Sequence, residues 1–88
     1  MLRPVYSRRF ERDWKRSRRR GKDLEKLRYV IRQLVLEIPL DSRYHDHPLV
    51  GIYKGRRECH IEPDWLLIYK RDQDMVLFER TGTHADLF

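Results

Sequence analysis

The chain has 88 residues, 40% of them hydrophobic and 39% charged, with a formal net charge of +6. That is enough for one small hydrophobic core but not two, and it excludes both a disordered polyelectrolyte and a membrane span. Cys59 is the single cysteine, so no internal disulfide forms. No apolar run is long enough for a signal peptide or a transmembrane helix, and the cytoplasm is the expected compartment.

The charge is unevenly spread: residues 1–28 carry 12 Lys or Arg against 4 acids, and residues 29–88 carry 8 against 10. A basic first third suggests a polyanionic partner, most simply nucleic acid, because neutralised phosphates release condensed counterions. A solvated helix face, an acidic protein or anionic lipid would fit the same charge.

In chain order, a short extended segment is predicted around Val5, followed by a helix capped by Ser7 through SRRFERDWKRSRRR, with Phe10 and Trp14 one turn apart on its buried side. Gly21 ends it. Asp23 caps a second helix in which Leu24, Leu27, Ile31, Leu34, Val35 and Ile38 recur at spacings of three and four, and Pro39 stops it. The two form a hairpin with an apolar inner stripe and an arginine-rich outer face. PLDSRYHDHP, from Pro39 to Pro48, lacks periodicity and reads as a crossing loop.

LVGIYK, RRECHIE, WLLIYKR and MVLFERT then read as β-prone runs separated by turn residues, an antiparallel meander. The expected fold is α+β: an N-terminal strand and helical hairpin packed on one face of that sheet, all within one domain spanning residues 1–88. Alternation in RRECHIE directs Cys59 and Ile61 toward the helices and Glu58, His60 and Glu62 toward the open face. WLLIYKR alternates too little to assign and looks like a central strand. In MVLFERT, Val76 and Phe78 share a face with Arg80, so Arg80 is expected to emerge beyond the edge of the core.

His47, His60, Asp64, Arg80 and His84 could meet on the open face, offering groups that exchange protons near neutral pH beside an arginine able to hold a phosphate. His45, by contrast, reads as an ordinary surface histidine. Cys59 reads as a buried apolar residue, and Trp65 as either a core anchor or an aromatic that stacks on bases. His45 and His47 with His60 or His84 resemble a zinc ligand set, but zinc sites usually show tighter pairs and more thiolates, so no metal or other cofactor is expected. Metal-free RNA cleavage needs little more than this group. The 2′-hydroxyl attacks the adjacent phosphate, a base takes its proton, an acid protonates the departing 5′-oxygen, and a cation steadies the phosphorane.

The runs DHPLVGIYKGRRECHIEPDWLLIYK and FERTGTHADLF, together with the order of elements, resemble the YafQ branch of the RelE/ParE superfamily of toxin-antitoxin toxins over the whole chain. The resemblance implies a ribosome-dependent messenger RNA endonuclease that inhibits translation and is silenced by a cognate antitoxin, monomeric when free and hetero-oligomeric with that partner. It further implies that His47, His60, Asp64 and His84 form the active site, with His84 as general acid, Asp64 or His47 as general base and His60 positioning groups or stabilising charge. Arg80 matches the family's phosphate-binding arginine and Phe88 its C-terminal aromatic. The carboxylate at Phe88 is expected close to the site, where it would raise a neighbouring histidine's pKa.

The chain departs from the family's pattern at His45, where an ordinary polar residue is expected, and this leaves an auxiliary role open. Arg8, Arg9, Arg12, Lys15, Arg16, Arg18, Arg19 and Arg20 are expected to contact ribosomal RNA, with Lys54, Arg56 and Arg57 meeting phosphates nearer the site and Trp65 and Phe88 meeting bases. The rival readings are a non-enzymatic ParE-type toxin that binds gyrase and a plain RNA-binding module. Neither needs His47, His60, Asp64 and His84 together.

Overall fold

The computed structural model describes all 88 residues, Met1–Phe88. Strand β1 (Arg3–Tyr6) leads into helices α1 (Arg8–Arg19) and α2 (Leu24–Val35). Strands β2 (His47–Pro48), β3 (Arg57–Glu62), β4 (Trp65–Arg71) and β5 (Met75–Gly82) follow, and helix α3 (His84–Leu87) closes the chain. The sheet order is β1-β5-β4-β3-β2, antiparallel throughout except that β1 adds to β5 in parallel. The architecture is α+β, and WLLIYKR is its central strand.

The helix starts form where the caps predict. The Ser7 hydroxyl accepts from the Phe10 amide, and the Asp23 carboxylate from that of Glu25, each satisfying an amide left unpaired by the helix. Gly21, at φ +77°, supplies the left-handed residue that ends α1. Two readings of the elements need correcting here. Helix α2 stops at Val35, so Ile38 lies outside the stripe and is 44% exposed. LVGIYK is not a strand: Gly51, at φ +73°, turns the chain into a single 3-10 turn, Gly51–Tyr53, which exposes Ile52 and sends Tyr53 inward.

The main core lies between the helices and one sheet face, where Phe10, Leu27, Val30 and Ile31 meet Cys59, Trp65, Leu67, Val76 and Phe78. The opposite face is only partly open. Tyr53, Leu66, Ile68 and Leu87 form a second, smaller cluster there, so β4 is buried on both sides.

Two bulges decide which side chains reach that second face. His60 pairs with Leu66 but Glu62 pairs with Trp65, leaving Ile61 as the extra residue. Facing residues share a side, so Glu62 turns toward the helices, contrary to simple alternation, and meets Lys22 of the turn before α2 and Lys26 of α2 at 3.2 and 3.0 Å. Likewise Arg80 pairs with Ile68 but Phe78 with Tyr69, which leaves Glu79 as the extra residue and turns Arg80 away from Phe78 to the other face. Arg80 does not emerge beyond the core. It is 9% exposed, and Asp13 of α1 receives its Nε and Nη2 at 2.7 and 3.2 Å.

Candidate active site

Three histidines form a row on the second face. The His60 ring lies 6.2 Å from that of His47 and 5.9 Å from that of His84. His60 comes from β3, opposite Leu66. His47 is brought beside it because β2 pairs His47 with Glu58. His84 arrives as the first residue of α3, whose entry is set by a capping box: the Thr83 hydroxyl accepts from the Asp86 amide, and the Asp86 carboxylate accepts from the Thr83 amide.

At one end of the row, Asp64 Oδ1 accepts the His84 main-chain amide at 2.9 Å and faces His84 Nδ1 at 2.7 Å. The carboxylate can only accept, so Nδ1 carries the proton and Nε2 is the nitrogen left for chemistry. These bonds, the amide first and the ring second, hold the Asp64 carboxyl below its ordinary pKa. Phe88 stands beside this pair, 61% exposed, with its ring 6.4 Å from His84 and edge-on to Tyr53.

At the other end, His47 Nδ1 donates to the His45 carbonyl at 2.7 Å, while Nε2 lies 3.3 Å from Glu58 Oε2. Both partners are acceptors, so satisfying both takes two ring protons or one proton shared with Glu58. His45 sits at φ +48°, a left-handed conformation that histidine tolerates better than most residues, and its ring meets that of His60 edge-on at 5.6 Å. Glu58 is the residue that motif reasoning missed. It is 5% exposed, and its other oxygen lies 3.6 Å from His60 Nε2. Its signal was available in the alternation that puts it on the same face as His60. His47, Glu58 and His60 bring one donor atom each within 4.8 Å of one another, a mixed imidazole and carboxylate set able to hold a metal ion.

The remaining expected site residues divide sharply. Trp65 is 1% exposed, with its indole N–H donating to the Thr81 hydroxyl, so it is a core anchor and offers no ring to a base. The Arg57 guanidinium faces Asp46, and that of Arg56 faces Glu79. Lys54 is exposed and unpaired. Arg8, Arg9, Arg12, Lys15, Arg18 and Arg19 are exposed on α1. Arg16 and Arg20 are not free for RNA. Asp86 receives Arg20 Nη1 at 2.7 Å and lies 3.6 Å from Arg16, which also bonds Asp13. The Arg20 bond chiefly drives the Asp86 carboxyl far below its ordinary range. No helix is long and apolar enough to cross a membrane.

Comparison with known proteins gives a consistent relationship. A family model described as a bacterial toxin of type II toxin-antitoxin system, YafQ, matches residues 2–88. The mRNA interferase toxin YafQ of Escherichia coli (strain K12) is 49% identical over 84 residues, covering 94% of this chain and 91% of the relative. The E. coli DinJ-YafQ complex contains a chain that superimposes with a TM-score of 0.93 at 46% identity, covering 100% of this chain and 99% of that one. A metal-bound toxin from Helicobacter pylori superimposes with a TM-score of 0.93 at 40% identity, with both chains covered completely.

Proposed function

Because the chain belongs to the YafQ family of bacterial type II toxin-antitoxin toxins, we propose that it is an mRNA interferase, an endoribonuclease that cuts messenger RNA on the ribosome in the cytoplasm. The observation that carries this reading is the row His47, His60 and His84, with Asp64 behind His84 at Nδ1 and Glu58 against Nε2 of His47. A phosphate resting over His60 has a proton acceptor on one side and a proton donor on the other, the arrangement an in-line attack requires.

His84 is the general acid. Asp64 fixes its tautomer and ring direction, so a proton on Nε2 passes to the departing 5′-oxygen, and Asp64 acts as an orienting group rather than as the base. With a single ring proton, on Nδ1 and committed to the His45 carbonyl, His47 is the base: Nε2 takes the 2′-hydroxyl proton, and Glu58 Oε2, 3.3 Å from that nitrogen, stabilises the imidazolium that forms. The 2′-oxygen then closes on phosphorus as the 5′-oxygen leaves, giving a cyclic phosphate and a new 5′-hydroxyl. His60 and Arg80 lie on the same face: a ring N–H of His60 donates to a phosphorane oxygen, and Arg80, with Nε and Nη2 bonded to Asp13, is held rigid and keeps only Nη1 outside that pair for the same task. DNA has no 2′-hydroxyl, so the site is RNA-specific by chemistry.

An antitoxin is the natural protein partner, as DinJ is in the complex of the E. coli relative. Adding the purified protein to ribosomes translating a defined message, mapping the cuts, and repeating with His84→Ala and His47→Ala tests the reading. Cutting by the unmutated protein alone supports it. Equal cutting by all three overturns the catalytic assignment, and no cutting by any favours the ParE-type or plain RNA-binding alternatives.

A further inference from the structure

Beyond His45 the histidine row opens into a groove of about 1090 Å³ that runs toward α2. Its far wall is aromatic: the rings of Tyr29 and Tyr44 lie 29° from parallel with centroids 6.4 Å apart. The Arg43 guanidinium stands 4.9 Å over the Tyr44 ring and donates to the Tyr44 hydroxyl. We propose that this groove is a second RNA-binding subsite, in which Tyr44 and Tyr29 stack a base next to the cut and Arg43 meets a phosphate. It rests on the endoribonuclease reading for its place relative to the cut.

The argument begins with connectivity. His45, His47 and His60 line the groove as well as the row, so a strand with its phosphate over His60 leaves along one of two paths. One passes His84 and ends on the exposed ring of Phe88; the other passes His45 and reaches the tyrosines. Each path has an aromatic face, which single-stranded RNA needs because unpaired bases lose stacking partners on leaving the helix.

The charges favour RNA over an acidic or basic protein segment. The carboxylates in the groove are already engaged. Glu62 is held by Lys22 and Lys26, Glu25 by Arg28, and Asp23 caps α2. Arg43 has no carboxylate against its guanidinium, and its contacts are the ring and hydroxyl of Tyr44. A cation standing over an aromatic ring and exposed at an open groove suits a phosphate beside a stacked base.

Direction follows from the acid. If His84 protonates the 5′-oxygen, the nucleotide carrying that oxygen lies on the Phe88 side. The groove therefore takes the nucleotide 5′ to the cut.

The test is titration of the full chain with a fully 2′-O-methylated single-stranded oligonucleotide, which cannot be cut, at low salt. Tyr44→Ala and Arg43→Gln are expected to weaken binding about fivefold to a hundredfold, while Tyr44→Phe stays within about twofold, because the ring and not the hydroxyl stacks. Arg43 is exposed and outside the core, so its variant folds even if loss of the partly buried Tyr44 ring lowers the melting temperature. Unchanged affinity in Arg43→Gln and Tyr29→Ala overturns the proposal. So does loss of antitoxin binding with RNA binding intact, which would make the groove a protein surface. If the unmutated protein binds RNA through these residues yet never cuts on ribosomes, the endoribonuclease reading fails and the subsite stands.

Discussion

A single oxygen of Asp64 receives both the main-chain N–H and the ring Nδ1–H of His84, at 2.9 and 2.7 Å. The two bonds fix where the residue sits and which ring nitrogen is free. His84→Ala should therefore remove the proton donor and lower single-turnover cutting by about a hundredfold to ten-thousandfold. Asp64→Ala, which leaves the ring but loosens it, should cost about tenfold to a hundredfold. Cut mapping on programmed ribosomes checks both, and an Asp64→Ala loss as deep as that of His84→Ala would make Asp64 more than an orienting group.

At the other end of the row, the Glu58 carboxylate lies against Nε2 of both His47 and His60. Glu58→Gln keeps the shape but removes the charge that would stabilise the imidazolium of His47. Cutting should fall about tenfold to a hundredfold with ribosome association unchanged. A full cutting rate in this variant would leave His47 without its proposed support.

The turn that carries His84 is clamped from α1. Arg16 and Arg20 converge on Asp86, which also completes the capping box with Thr83. Gly82 is where this clamp has no slack: a Cβ there would lie 2.8 Å from Asp86 Oδ2 and 3.0 Å from Arg16 Nη2. Gly82→Ala and Asp86→Ala should each lower kcat by displacing His84, while salt-dependent ribosome pelleting stays as it was. Unaltered kcat in both would show that the clamp serves stability alone.

Asp86 and Asp64 both titrate below the ordinary carboxylate value of 3.8, Asp86 chiefly through Arg20 and Asp64 chiefly through the His84 amide. A carboxylate depressed in the folded state contributes its stability in full above the unfolded value and loses it as pH falls through the folded one. Stability should thus hold from neutrality to the unfolded value near 3.8 and decline at lower pH. Asp64 is exposed and contributes little of this, so Asp86→Asn should flatten most of the acid decline. Thermal melts at stepped pH values provide the check, and superimposable acid limbs would rule the clamp out as its origin.

The basic block at α1 separates into two groups. Arg8, Arg9, Arg12, Lys15, Arg18 and Arg19 are exposed and free of ion pairs, whereas Arg16 and Arg20 are tied to Asp86. Arg18→Glu with Arg19→Glu should weaken ribosome pelleting and reduce its salt slope by about 0.7 to 0.9 per lost phosphate contact, with the melting temperature retained. Arg20→Glu should instead lower the melting temperature and the cutting rate. The same response from both variants would erase the division.

What was legible in the chain is what local physics dictates. Ser7 and Asp23 cap the helices, Gly21 ends the first, and β4 reads as a central strand because its residues are apolar on both faces. Alternation alone puts His60 on the face away from the helices, since Cys59 must be buried. The motif runs DHPL, HIEPDW and RTGTH single out His47, His60, Asp64 and His84, and the fold brings the three histidines into one row with Asp64 against the last.

Tertiary structure decided the rest, because it depends on partners far away in the chain. No local pattern announces the bulges at Ile61 and Glu79, since a bulge depends on the register of two strands together; yet these alone send Glu62 to the helices and Arg80 to the site face. Equally, nothing local distinguishes Arg19, free in solvent, from Arg20, whose carboxylate partner lies 66 positions away. Local sequence determined which candidate residues stand in the row, and long-range pairing determined which charges remain free beside them.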